Sequence, residues 1–145
     1  MSSVRVKFFR GEEVKFISHL DLMKMYERAL RRSGVPIAYS QGFNPHPQMV
    51  FGLPLSVGVT SESEYADFEL EGNMDPGEFM QRLNGSLPEG IRIVDAAVKK
   101  AGSNIMAAIA GASYDIMAST DSNLDMEVLK DKLRQFLDKE EIYVE

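Results

Sequence analysis

The segment that most constrains the fold runs from residue 40 to residue 47 and reads Ser-Gln-Gly-Phe-Asn-Pro-His-Pro. Pro45 and Pro47 lack amide donors, and each biases the residue before it toward extended backbone. Gly42 adds conformational freedom at the start of the segment. We therefore predict a stiff loop, because neither a helix nor a central strand tolerates this composition. Its side chains include several hydrogen-bonding groups: Gln41, Asn44, His46 and Gln48.

A helix is predicted directly before this loop, from Ser18 to Ser33. Ser18 followed by Asp21 fits a capping box, and Gly34 ends the helix. At about 100° per residue, one stripe is apolar and is expected to be buried: Leu22, Met23, Tyr26, Ala29 and Leu30. The far side carries a group of cations, which we call the cationic face: Lys24, Arg28, Arg31 and Arg32. Glu27 and Asp21 can neutralise part of this face through neighbouring-turn pairs. The face is either a solvated surface or a surface that meets anions.

Around this helix and loop, the hydrophobic pattern predicts an α+β fold. Strands are expected at residues 4–10, 35–39, 64–71 and 91–98, with a second helix at 75–84 for which Asp75 is the expected N-cap. This order is typical of the ferredoxin-like split βαβ unit, which we place at residues 1–100. Residues 101–145 are predicted to begin a second, incomplete ferredoxin-like half. Its elements are a short helix at 105–110, a strand at 112–118, a helix at 124–138 and a strand at 141–145.

Composition narrows the class of protein. The chain has no cysteine, which excludes disulfides and thiolate metal sites. No cofactor is expected, because the chain has no phosphate-binding glycine motif and its two histidines match no metal motif. It has no apolar run long enough for a membrane span and no signal-peptide pattern, so we expect a cytoplasmic protein without membrane contact.

Charge is unevenly distributed along the chain. Residues 1–60 carry eight Lys/Arg against four Asp/Glu, whereas residues 61–145 carry eight against eighteen. This asymmetry indicates one anion-facing surface on a body whose net charge is −6.

Three stretches together resemble a known family: residues 16–21 (Phe-Ile-Ser-His-Leu-Asp), residues 27–34 (Glu-Arg-Ala-Leu-Arg-Arg-Ser-Gly) and residues 39–47. They are similar to an uncharacterised bacterial domain that occurs C-terminal to, or beside, radical SAM proteins. The resemblance continues through residues 53–55, 58 and 64–65, and more weakly through 112–114. It implies a radical SAM protein as partner, in cis or in trans. Members of that family usually run further at the C-terminus.

The first functional hypothesis is a module that binds RNA for such a partner. Arginine and lysine contact phosphate, and an exposed aromatic ring such as Phe43 or Tyr39 stacks on an unpaired base. The residues assigned to this surface are Arg10, Lys24, Arg28, Arg31, Arg32, Gln41, Phe43, Asn44 and His46.

Two other hypotheses stay open. In the first, the chain is a metal-independent ribonuclease, similar in fold to the endonucleases that process CRISPR repeats. His19 or His46 would then act as acid or base, with Tyr39 or Ser40 assisting. In the second, the chain is a protein-docking domain without a nucleic-acid role. Self-association through the incomplete second sheet would give a homodimer.

Overall fold

The computed structural model describes residues 2–142, which form a mixed α+β fold with one antiparallel four-stranded sheet. The strands are β1 (Ser2–Arg10), β2 (Met49–Phe51), β3 (Ser61–Leu70) and β4 (Ile91–Val98). The helices are α1 (His19–Ser33), α2 (Pro76–Asn84), α3 (Ile105–Ala108) and α4 (Met126–Leu137), with a 3-10 turn at Glu12–Val14. The strands lie in the order β2-β3-β1-β4, and each neighbouring pair is antiparallel.

The core lies between one face of the sheet and the helices α1 and α2. Along β1 the side chains alternate, and Val4, Val6 and Phe8 are buried on the core side. Helix α1 buries four of the five residues of the predicted apolar stripe, while Met23 is only partly buried. Helix α2 contributes Phe79. This two-layer packing leaves the other side of α1 in solvent.

Both main helices begin with the caps that the sequence predicts. The amide of Asp21 donates to the hydroxyl of Ser18 at 3.1 Å, and that hydroxyl donates to the carboxylate of Asp21 at 2.8 Å. Asp75 accepts from the amides of Gly77 and Glu78 at the start of α2. Caps of this kind satisfy amide groups that have no partner inside the helix, so they fix where each helix begins.

An ion-pair cluster covers the outer face of the sheet, which is the face away from α1 and α2. Asp67 is only 2% exposed and accepts two hydrogen bonds from Arg5, at 2.7 and 2.9 Å. Lys99 lies 3.5 Å from Asp67 and 3.1 Å from Glu69. The hydrogen bond to Asp67 raises the pKa of Arg5 above its ordinary value. The cluster joins β1, β3 and the segment after β4.

Two predicted strands are wrong. Residues 35–39 contain only isolated bridges, at Ile37 to Leu70 and at Tyr39 to Pro47. Pro36 has no amide to donate, which prevents a continuous ladder there. Residues 112–118 form no strand either, because no neighbouring strand pairs with them among the described residues. The strand predicted at 141–145 lies largely outside the described residues, and residues 141–142 have no strand structure.

The chain divides into two compact units, Met1–Ala112 and Ser113–Glu145. In the second unit every residue from 113 to 142 is exposed, including the apolar side chains of α4. That described stretch contains no strand, so it offers no sheet edge for the predicted homodimer. Within residues 2–142, no helix combines the length and the apolarity needed to cross a bilayer.

Candidate functional site

The loop predicted from the sequence has two parts. Ser40 and His46 form a neck that is closed by hydrogen bonds, and residues 41–45 form an exposed tip. The amide of Ser40 donates to the carbonyl of His46 at 2.9 Å, and the amide of His46 donates to the hydroxyl of Ser40 at 3.0 Å. Below the neck, the amide of Gln48 donates to the carbonyl of Ala38 at 2.8 Å. Pro47 is buried. These contacts hold the base of the loop, so residues 41–45 project as one tip.

The tip residues are all exposed. Phe43, in the middle of the tip, is fully exposed, at 107% of the reference area. Gln41 and Asn44 lie on either side of it and are exposed as well. Gly42 adopts a φ of 135°, in the region that favours glycine, and this conformation turns the chain toward Phe43. The tip therefore combines one aromatic ring with two amide side chains.

Helix α1 contacts the loop through a pair of side chains. His46 Nδ1 lies 3.6 Å from Glu27 Oε1, in the middle of the helix. On a helix, residues three and four positions apart lie on one surface row, so Lys24 and Arg31 flank Glu27. The structure thus places the loop beside the cationic face.

The four cations of that face have different surroundings. Arg32 donates to the carbonyl of Ser86 at 2.7 Å, which ties α1 to the segment before β4. Lys24 lies 4.0 Å from Asp21, and both side chains are exposed. Within residues 2–142, Arg28 and Arg31 form neither an ion pair nor a side-chain hydrogen bond, and both are exposed. Arg28 and Arg31 are therefore the cations most available to an anionic ligand.

Arg10 does not belong to this surface. It is 1% exposed and donates to the carbonyls of Val14, Lys15 and Ile17, at 3.4, 3.3 and 2.6 Å. The chain after β1 folds back over the guanidinium, so it cannot reach a phosphate in solution. Arg10 is therefore a structural residue, and its assignment to the RNA-binding surface is wrong.

The two candidate histidines lie in different surroundings, whereas Tyr39 and Ser40 adjoin His46 at the base of the loop. His19 is partly buried, and its ring packs edge-on at 5.6 Å from the ring of Phe51. His46 is exposed and lies beside Glu27, which follows His19 by eight residues, or about 12 Å along the helix axis. Tyr39 is partly buried and packs against the core. The structure therefore gives no support to an acid–base pair of these two histidines.

Three residues of this region were missed by sequence reasoning. Glu27 was treated only as a charge that neutralises the cationic face, although it is the contact for His46. Phe16 and Leu20 are exposed apolar residues at the N-terminal end of α1. Leu20 lies four positions before Lys24, so the helical period alone places it in the same row.

These features define the class of protein: a small α+β domain with a cationic helix face and an exposed aromatic loop beside it. The sequence from residue 3 to residue 145 matches the family described as "Uncharacterized protein conserved in bacteria (DUF2344)", and the chain belongs to that family. A comparison with curated proteins gave no match.

Proposed function

We propose that this chain is a nucleic-acid-binding module that contacts RNA through the cationic face of α1 and the loop tip, as an accessory to a partner enzyme. The observation that carries the proposal is the position of Phe43, fully exposed on a tip whose neck is closed and whose base contacts α1 at Glu27. A single exposed apolar residue is ordinary on a protein surface. An exposed aromatic ring, on a loop that contacts a helix with unpaired arginines, is a combination that RNA-binding surfaces use.

Electrostatics support the same proposal. Among the described residues, Arg28 and Arg31 form no ion pair with a carboxylate. The logarithm of the affinity falls linearly with the logarithm of the salt concentration. Each single-strand phosphate that contacts such a cation makes this slope more negative by about 0.7. With Lys24 included, we expect a slope of about −2. Because the net charge of the chain is −6, we expect attraction of RNA phosphates only near the cationic face.

Binding of a fluorescein-labelled RNA oligonucleotide, followed by fluorescence anisotropy, tests the proposal. The double variant Arg28→Glu with Arg31→Glu is expected to weaken binding by at least about tenfold, because two attractive contacts become repulsive. The matched control is Arg92→Glu with Lys100→Glu, which changes two exposed cations elsewhere and should bind as the wild type does. Equal affinities of the two double variants would overturn the proposal.

The fold supports a structural part of the same proposal. We propose that residues 1–100 form a ferredoxin-like split βαβ domain. The order of its main elements, β1-α1-β2-β3-α2-β4, and the strand order β2-β3-β1-β4 support that assignment. A sheet with helices packed on one face leaves the far side of α1 free for a ligand.

Protein docking is a second candidate function, favoured by helix α4. Leu129, Leu133 and Phe136 follow the helical period and are all exposed. The proposed partner is a radical SAM protein, and this part of the proposal rests on sequence resemblance. Co-purification of that protein with the full chain after nuclease treatment, lost in Leu133→Asp but kept in Lys132→Asp, would support it. Absence of co-purification with the wild-type chain would remove it.

A further inference from the structure

We infer that the ligand is single-stranded where it meets this chain, and that it runs along α1 from Phe43 to a second aromatic contact, Phe16. This inference rests on the proposed function and makes it more specific. Phe16 is 73% exposed and lies just before Ser18, the N-cap of α1. Phe16 thus lies near the N-terminal end of α1, whereas the loop that carries Phe43 contacts the middle of α1 at Glu27.

The backbone beside Phe16 is held by a hydrogen bond, and a cation lies near the ring. Lys15 Nζ lies 5.1 Å from the ring centroid, and the same ammonium lies 2.5 Å from the carboxylate of Glu12. The amide of Gly58 donates to the carbonyl of Lys15 at 2.7 Å. Phe16 itself is 73% exposed, so most of its surface is available to a base.

The length of α1 fits a short single strand. Glu27, which marks the position of the loop, follows Ser18 by nine residues, or about 14 Å along the helix axis. A stacked strand rises about 3.4 Å per nucleotide, so about four nucleotides cover this distance. Leu20 and Lys24 lie in the same surface row between the two ends. The row therefore offers an apolar contact and a cation along the path of the strand.

A single strand fits this surface better than a duplex does. Exposed aromatic side chains gain energy from an RNA when they stack on bases that are free of pairing. In a duplex the bases are paired and stacked on one another, so Phe16 and Phe43 would have no base to contact. Only the phosphate contacts with the cationic face would remain.

Fluorescence anisotropy on the full chain tests this inference with a labelled 12-nucleotide RNA, measured alone and annealed to its complement. Phe16→Ala is expected to weaken binding of the single strand about tenfold, and Phe16→Trp to retain it, because tryptophan also stacks. The matched control is Phe9→Ala, which removes a ring of 37% exposure from the outer face of the sheet and should have no effect. The duplex is expected to bind more weakly than the single strand.

The outcomes separate the inference from the proposed function. Wild-type affinity in Phe16→Ala, together with a loss in Phe43→Ala and in the Arg28/Arg31 double variant, would overturn the inference and leave the proposed function standing. Equal binding of duplex and single strand would overturn it as well, and so would failure of Phe16→Trp to retain affinity. Wild-type affinity in all of these variants would reject the proposed function itself.

Discussion

The imidazole of His46 lies beside the carboxylate of Glu27, with 3.6 Å between Nδ1 and Oε1. This distance is longer than a hydrogen bond, so the contact is electrostatic and is strongest when the imidazole is protonated. The contact connects the loop with α1. It also places a negative charge between the cations of the proposed RNA surface.

Glu27→Gln should therefore raise the affinity for RNA. Removing one negative charge beside Lys24 and Arg31 strengthens the attraction for phosphate by about two- to fivefold, which corresponds to an exposed charge interaction of about 0.5–1 kcal/mol. Anisotropy titrations at two salt concentrations measure this effect, and the gain should shrink at the higher salt. Glu71→Gln, an exposed carboxylate outside the surface, serves as the control. A weaker affinity in Glu27→Gln would contradict the assignment of this row as the phosphate contact.

Arg10→Met should destabilise the fold, whereas a contact residue would leave stability unchanged. The substitution removes the bond of 2.6 Å to the carbonyl of Ile17 and two longer bonds, to carbonyls that also accept from backbone amides. We expect the free energy of unfolding to fall by about 2 kcal/mol. Urea denaturation measures this change, with the exposed Arg92→Met as control, for which we expect less than about 0.5 kcal/mol. Equal stability of the two variants would show that the buried guanidinium contributes nothing.

Asp67→Ala should be among the most destabilising changes on the outer face of the sheet. It removes the carboxylate that accepts two hydrogen bonds from Arg5 and lies 3.5 Å from Lys99. Because Arg5 and Lys99 are partly exposed and water can solvate them after the change, we expect a loss of about 2 kcal/mol, less than for a fully buried pair. Thermal unfolding compared with Asp95→Ala, an exposed position on β4, checks this expectation. A similar melting temperature for both variants would contradict it.

Tyr26 should make the fold sensitive to alkali. Burial raises the pKa of Tyr26 above its ordinary value of about 10, with a smaller contribution from the charge of Glu64. The folded state therefore keeps this proton above pH 10 while the unfolded chain loses it. Stability then falls with rising pH, by up to about 1.4 kcal/mol per pH unit from this group.

Tyr26→Phe should remove this part of the alkaline loss. The hydroxyl of Tyr26 is buried and makes no hydrogen bond within the part of the chain that is described. At neutral pH the variant is therefore expected to be at least as stable as the wild type. Urea denaturation at pH 7 and at pH 10.5 tests both expectations, with Tyr65→Phe as the partly exposed control. Identical pH dependence in the two variants would contradict this account of Tyr26.

Features set by local chemistry were predictable from the sequence. Residue type predicts the helix caps at Ser18 and Asp75, and helical spacing predicts the buried stripe of α1. The structure confirms these predictions. The stiffness of the loop follows from its prolines, since each limits the backbone beside it.

Features set by distant contacts were not predictable in the same way. The apolar alternation at residues 112–118 predicts a strand, yet a strand needs a partner that the local sequence does not supply. Arg10 lies two residues after Phe8 and so faces the core, but the carbonyls that accept its hydrogen bonds come from the turn that follows. The contact between Glu27 and His46 joins residues in different elements, and no helical or strand period connects them.

The closed neck between Ser40 and His46 separates the loop tip from the rest of the domain. Substitutions at residues 41–45 change what the tip offers to a ligand without disturbing the packing beneath it. Selection can therefore change this short segment while the scaffold stays constant. The same property makes the tip a convenient place to graft a foreign peptide.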